Sequence, residues 1–110
     1  MSDTTASCRC GAVKCTITGE PYSIGHCHCE SCRRSTGQAA VTLLAFRKSQ
    51  IDFGEDAGKI HESSPGVYRR FCPNCGTPLT WEADWVGYDD VIEFYIGTMA
   101  EPDRYPAIKH

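Results

Sequence analysis

The sequence predicts a mainly β domain with short helical turns, and three observations support this prediction. Short apolar or alternating stretches are separated by glycine, proline and serine, as is typical of strands joined by tight turns. No stretch has the apolar spacing of a long helix. The cysteines recur in close pairs, and such spacings are typical of turns that hold a metal ion.

The strands follow from the apolar pattern along the chain. Residues 6–19 are predicted to form a strand, a turn at Gly11 and a second strand with one apolar face. The longest apolar run, residues 39–46, is the predicted central strand. A short helix is expected over residues 31–35, because Gly37 can end it. The remaining strands are predicted at residues 22–29, 51–53, 59–63, 67–71, 78–83 and 91–97.

Length and composition indicate one soluble globular domain over residues 1–110. The content of 41% hydrophobic and 23% charged residues is ordinary for such a domain. Residues 1–7 are polar, unlike an export signal, and no apolar run approaches a membrane span, so we expect a cytoplasmic protein without a membrane partner. The net charge of −3 argues against nucleic-acid binding through phosphates. With eight cysteines and no export signal, metal ligation is favoured over disulfides.

Cys27, Cys29 and Cys32 place three thiols within six residues. Residues two apart in a strand face the same side, so Cys27 and Cys29 are predicted to present their sulfurs together, and the Cys29-x-x-Cys32 spacing brings in the third. Converging thiolates repel each other unless a cation lies between them, and zinc suits thiolates. Zinc prefers four ligands, so this site either gains another side chain or keeps an open position. His26 and His28 are expected on the opposite face of the strand.

A second set of cysteines predicts a closed site. Cys72 and Cys75 form a Cys-Pro-Asn-Cys motif followed by glycine, which is typical of a zinc knuckle with two ligands. Cys8 and Cys10 are expected to supply the other two. Four thiolates complete a tetrahedral site, and such a site is structural because no position remains for chemistry. The remaining cysteine, Cys15, alternates with apolar residues and is predicted to lie in the core.

These motifs together resemble the glutathione-dependent formaldehyde-activating enzyme family, which includes the centromere protein V domain. The matching segments are residues 8–13, 27–34, 36–37, 64–66 and 71–79, with 96–98 and Pro102. The resemblance implies an Mss4-like β-rich zinc-binding fold with two zinc ions per chain. It implies a zinc-dependent carbon–sulfur lyase, similar to S-(hydroxymethyl)glutathione synthase, that acts on a thiol–aldehyde adduct such as that of glutathione and formaldehyde. The structural ligands carried over by motif are Cys8, Cys10, Cys72 and Cys75, and the catalytic ligands are Cys27, Cys29 and Cys32.

One departure concerns the end of the chain. Family members usually continue beyond residues 106–110 with a tail that contains aromatic residues. A shorter variant and a more open site are both compatible with this difference, so the substrate is less certain than the fold.

The arginines and tryptophans leave alternatives open. Arg33 and Arg34 directly follow the three-cysteine segment and either pair with the carboxylates of a thiol such as glutathione or are ordinary surface charges. The pair at residues 69–70 is expected to be solvated surface charge. Trp81 and Trp85 are expected in the core and in a pocket wall, with stacking on a substrate as the alternative.

Three functions remain open on the sequence alone. The first is the lyase, the second a non-catalytic zinc module that binds a partner protein, and the third a thiol or metal sensor whose three-cysteine site loads reversibly. The sequence does not predict the oligomeric state.

Overall fold

The computed structural model describes residues 3–105 as two antiparallel sheets connected by short turns. The strands are β1 (Thr4–Ser7), β2 (Lys14–Ile17), β3 (Ser23–Cys27), β4 (Val41–Arg47), β5 (Ile51–Asp52), β6 (Lys59–Ser64), β7 (Val67–Phe71), β8 (Pro78–Ala83) and β9 (Val91–Tyr95). Helix α1 (Glu30–Thr36) lies between β3 and β4, and 3-10 turns occur at Lys48–Gln50, Ile96–Thr98 and Pro102–Arg104. The mainly β prediction is confirmed.

The larger sheet positions the site. Its six strands run in the order β3-β4-β9-β8-β7-β6, and the smaller sheet has the order β1-β2-β5. Strand β4, predicted as central, pairs with β3 on one side and β9 on the other. Successive strands that pair directly, such as β6, β7 and β8, are joined by short turns, which favour antiparallel neighbours.

The main core lies on one face of the six-stranded sheet. Leu44, Phe46 and Phe94 are almost completely buried there, and the rings of Phe46 and Phe94 meet edge to face with centroids 6.1 Å apart. Ile17 and Cys15 of the smaller sheet pack into the same cluster. The structure therefore places Cys15 in the core, where burial raises the pKa of its thiol to about 11.

Several strand boundaries differ from the prediction. Residues 8–11 form a turn and no strand, because the Gly11 N–H donates to the Cys8 carbonyl at 3.3 Å and the Cys8 N–H donates to Val13 at 3.0 Å. Strand β9 ends at Tyr95, and the next three residues form a 3-10 turn. No helix among residues 3–105 has the length and apolar character needed to span a membrane. The chain end discussed above, residues 106–110, lies outside the described residues.

Gly58 provides a test of the packing between a loop and β7. A Cβ atom at this left-handed residue would lie 2.6 Å from the Phe71 carbonyl oxygen, whereas Gly54, also left-handed, has nothing within 4 Å. Gly54→Ala should lose about 1–2 kcal/mol of unfolding free energy from backbone conformation alone. Gly58→Ala should lose more, because the backbone of β7 must also move. Equal losses in chemical denaturation would contradict this packing.

Candidate metal centre and catalytic cavity

Two turns far apart in sequence bring four thiols together. The sulfurs of the cysteines at positions 8, 10, 72 and 75 all lie within 4.8 Å of one another. The Sγ of Cys10 is 3.6 Å from that of Cys8 and 3.8 Å from that of Cys72. A tetrahedral zinc with bonds of about 2.3 Å holds its sulfurs about 3.8 Å apart. The observed spacing therefore fits a zinc ion, as the knuckle motif predicted.

Hydrogen bonds to these sulfurs favour the thiolate form that metals bind. The Asn74 Nδ2 donates to the Cys10 Sγ at 3.2 Å. The side chains of Cys75 and Thr77 lie 3.1 Å apart, and this hydrogen bond is the main reason that the pKa of the Cys75 thiol falls to about 5. Metal binding requires thiolates, so the environment of Cys75 favours a cation, whereas the pKa of the buried Cys72 thiol is raised to about 11 despite backbone hydrogen bonds that lower it.

The four-thiol cluster also joins the two sheets. Cys8 follows β1 in the smaller sheet, and Cys72 follows β7 in the larger one. Both are buried and pack with Val13 and Leu79 in a small apolar cluster. The cluster therefore has the position of a structural link between the sheets.

The other three thiols come from one short segment. The sulfurs of Cys27, Cys29 and Cys32 lie within 4.8 Å of one another, and those of Cys27 and Cys29 are 3.2 Å apart. The prediction that a strand runs through Cys29 is wrong, because β3 ends at Cys27 and Cys29 is the N-cap of α1. The Cys29 Sγ accepts a hydrogen bond from the Cys32 N–H at 3.4 Å, and this cap folds the segment back on itself.

The local environments of the three thiols differ in polarity. The pKa of the exposed Cys29 thiol is lowered to about 7, mainly because the backbone N–H of Cys32 donates a hydrogen bond to its sulfur. Burial raises the pKa of the Cys32 thiol to about 12. Within residues 3–105, no histidine or carboxylate joins this group of three. His26, on the preceding strand, has its Nδ1 3.0 Å from the Thr42 hydroxyl. The cluster thus offers three ligands to a metal that prefers four.

The three thiols line a cavity of about 410 Å³ on the sheet face opposite the main core. Arg69, Trp81 and Glu93 are cross-strand neighbours on β7, β8 and β9, and all three line this cavity. Trp85 and Tyr88, from the loop after β8, complete an aromatic wall. The structure thus places both tryptophans in a pocket wall, as the sequence suggested.

Arg69 is a charged residue that contacts the three-thiol cluster. Its side chain is only 7% exposed, and its guanidinium donates to the Tyr95 hydroxyl at 2.7 Å and to the Ser31 hydroxyl at 2.8 Å. It also donates to the Cys32 Sγ at 3.6 Å and, through Nε, to Ser63 at 3.2 Å. None of the ion pairs formed within residues 3–105 includes Arg69. A buried guanidinium without a carboxylate favours a negative charge on the neighbouring thiols.

The expectation of surface charge at residues 69–70 is wrong. Arg69 is buried in the cavity wall, and Arg70 pairs with Glu82 at 2.9 Å with both side chains almost buried. The alternation of residues along β7 could have predicted this burial, because Arg69 shares a face with the buried Val67 two residues earlier.

Arg33 and Arg34 lie on the exposed side of α1 and do not line the cavity. The Arg34 side chain pairs with Glu30 at 2.8 Å, one helical turn away. Their role in thiol binding stays a prediction.

Glu93 is a second site residue that the sequence did not single out. It is a half-buried carboxyl in the cavity wall, and burial raises its pKa. The available signal was one acid within an otherwise apolar strand, Val91–Tyr95. A half-buried carboxyl with a raised pKa beside a cavity is suited to proton transfer.

Comparisons with known proteins identify the family and the fold of this chain. A family model described as glutathione-dependent formaldehyde-activating enzyme matches residues 3–110. The chain is 32% identical over 79 residues to an uncharacterized lyase from Schizosaccharomyces pombe (strain 972 / ATCC 24843), a match that covers 72% of this chain and 57% of that relative. The chain therefore spans little more than half of that relative's length. The fold is similar to a crystal structure of a Rhodobacter sphaeroides protein, with a TM-score of 0.67, 18% identity and 87% of each chain covered.

Replacing Arg69 should destabilise the protein far more than replacing an exposed arginine. Arg69→Gln removes charged hydrogen bonds to two buried acceptors, Cys32 and Tyr95, and we expect a loss of about 1.5–3 kcal/mol in unfolding free energy. The matched control Arg34→Gln breaks one exposed pair and should change stability by no more than about 0.5 kcal/mol. Both variants are compared by urea denaturation under the same metal conditions, and similar losses would refute the buried network.

Proposed function

This chain belongs to the glutathione-dependent formaldehyde-activating enzyme family, and we propose that it is a zinc-dependent lyase-type enzyme acting on a thiol–aldehyde adduct. The family description points to glutathione and formaldehyde as the thiol and the aldehyde. The name of the yeast relative, a lyase, supports the same reaction class. The observation that carries the proposal is an incomplete cluster of three thiols that lines an open cavity, distinct from the cluster of four.

Two zinc ions would serve different purposes. The cysteines at 8, 10, 72 and 75 would hold a structural ion, because their four thiols fill a tetrahedral shell. Cys27, Cys29 and Cys32 would hold the second ion and leave one position to an outside ligand. An ion held there would favour the thiolate form of a substrate thiol near neutral pH.

The reaction moves two electron pairs and, overall, one proton from sulfur to oxygen. The thiol loses its proton, its sulfur uses a lone pair to form a bond to the aldehyde carbon, the π electrons of the carbonyl move to its oxygen, and that oxygen takes a proton. In the reverse direction the carbon–sulfur bond breaks, its electron pair returns to the sulfur, which is reprotonated, and the carbonyl re-forms as the hydroxyl oxygen gives up its proton. Glu93, the partly buried carboxyl of the cavity wall, is the residue that we assign to give and take this proton.

Arg69 has a positioning role in this scheme. Three thiolates and a divalent ion carry −3 + 2 = −1 charge, which the buried guanidinium would offset. Its hydrogen bonds to Ser31 and Cys32 also fix the start of α1 against β7. The cavity thereby keeps its shape when the charge at the cluster changes.

Zinc content and turnover test the proposal together. The purified wild-type chain should contain two zinc ions, and it should speed the exchange between formaldehyde and its glutathione adduct, followed by NMR with ¹³C-labelled formaldehyde. Cys32→Ser should keep one zinc and lose the acceleration, because it removes a ligand of the incomplete cluster alone.

Cys15→Ala is the matched control for this experiment. Cys15 lies in the core and belongs to neither cluster, so this variant should keep both ions and the acceleration. Wild-type protein that holds two zinc ions yet leaves the exchange at its spontaneous rate would overturn the proposed activity. A zinc content unchanged in Cys32→Ser would overturn the assignment of the second site.

Glu93→Gln should separate activity from stability. Adduct formation needs the protonated carboxyl, so the wild-type rate should fall as pH rises through the raised pKa of Glu93. The glutamine variant should lose roughly 100- to 10,000-fold in rate and lack this pH-dependent limb. A variant with wild-type rate and pH profile would exclude Glu93 as the proton donor.

The same substitution should stabilise the fold at neutral pH. A raised folded-state pKa means that the wild-type protein loses stability as pH rises above the unfolded value of about 4.3, and glutamine avoids this charge. The stability gain should disappear below that pH, as measured by denaturation at several pH values.

A further inference from the structure

The aromatic wall of the cavity is preformed. The ring centroids of Trp81 lie 5.6 Å from those of both Trp85 and Tyr88, and the latter two are 5.9 Å apart. All three pairs meet edge to face, an arrangement that aromatic rings prefer. Backbone hydrogen bonds from residues 88 and 89 to the Trp85 carbonyl close the loop into a turn.

Gly66 fixes the position of the outer indole. A Cβ atom there would lie 3.1 Å from the Trp85 Nε1, so the indole packs directly on the turn between β6 and β7. Despite these contacts, Trp85 is 47% exposed and Tyr88 is 43% exposed. Two large rings are therefore held in place with open faces beside the three thiols, at a considerable cost in exposed apolar area.

The charges of the cavity do not match those of glutathione. Glutathione carries two carboxylates and one ammonium group at neutral pH. Among the lining residues only Arg69 and His26 can carry positive charge, and the Arg69 guanidinium already donates to neighbouring protein groups. Glu93 adds a carboxyl to the same wall.

The size of the cavity also exceeds what a hydroxymethyl group needs. The cavity measures about 410 Å³, whereas formaldehyde adds only one carbon and one oxygen to a thiol, so the cavity also has room for the substituent that the thiol carries. The remaining volume borders the indole and phenol rings. A ligand that fills it favourably has an apolar or aromatic part.

We propose that the wall formed by Trp81, Trp85 and Tyr88 is a binding subsite for an apolar or aromatic group on the thiol–aldehyde adduct. The preferred substrate of this chain is then an adduct with a hydrophobic substituent near the sulfur. This inference rests on the proposed function, because it assumes that a thiol sulfur lies at the three-cysteine cluster.

Intrinsic fluorescence reports on this subsite directly. The chain has two tryptophans, and both line the cavity. Zinc-loaded full-length protein is titrated with benzyl mercaptan and with 2-mercaptoethanol, which present the same thiol chemistry with and without a ring. Burial of the phenyl ring should make benzyl mercaptan bind about 10- to 100-fold more tightly, with a change in tryptophan emission.

Variants locate the preference. Trp85→Ala should bring the affinities of the two thiols to within about 3-fold of each other, since the indole is the outer part of the wall. Tyr22→Ala is the matched control, because Tyr22 is an exposed aromatic residue that does not line the cavity, and it should keep the full preference. Zinc content and thermal stability are measured for each variant to show that both metal clusters persist.

The outcomes separate this inference from the proposed function. Equal affinities of the wild-type protein for the two thiols, or an unchanged preference in Trp85→Ala, would overturn the subsite while leaving thiol binding intact. Binding of neither thiol to protein that holds two zinc ions would overturn the proposed function and, with it, the inference. If Trp85→Ala loses the preference for benzyl mercaptan and Tyr22→Ala keeps it, the result supports both the subsite and the proposed function.

Discussion

Thiolate sulfurs that lie close together repel one another, so the fold has to hold each cysteine group in place. This constraint determines how the elements around the two groups are arranged. In the larger group, Cys10 and Cys72 are 62 residues apart in sequence yet their sulfurs are 3.8 Å apart. That contact lies between the turn that leaves β1 and the turn that leaves β7, so it fixes the small sheet against the large one. A domain of 110 residues has a limited apolar core, and a cation at this junction would add stability where the two sheets meet.

The six-stranded sheet separates stability from chemistry by its two faces. Because side chains alternate along a strand, Phe94 enters the apolar core while its neighbour Glu93 lines the cavity. The same alternation sends Leu44 into the core and Leu43 to the cavity side. Partly buried charges destabilise a fold unless they are matched. Arg69 and Glu93 line the cavity, away from the main core, whereas the almost buried Arg70 is paired with Glu82.

Local sequence patterns predicted where most strands lie and how seven of the cysteines divide into a group of four and a group of three. Alternation and glycine punctuation identify strands, and short spacings such as Cys72-x-x-Cys75 identify ligand pairs. The N-cap at Cys29 was missed because a thiol is an uncommon helix cap. Arg69 and Glu93 were missed for a different reason. Their approach depends on the register of β7, β8 and β9, and no pattern within a single strand specifies which residues become cross-strand neighbours.

The difference between the two clusters follows from where their ligands originate. The four-thiol cluster takes two thiols from each of two turns, so that the two turns together supply four ligands. The open cluster takes all three thiols from residues 27–32, so a fourth ligand would have to come from the elements that face it. Those elements present the guanidinium of Arg69, the indole of Trp81 and the carboxyl of Glu93. Guanidinium and indole groups are not zinc ligands, and Glu93 does not belong to the group of side chains within reach of a common ion. Among the described residues, these side chains add no fourth ligand to the three thiols, so the group faces the cavity with three ligands.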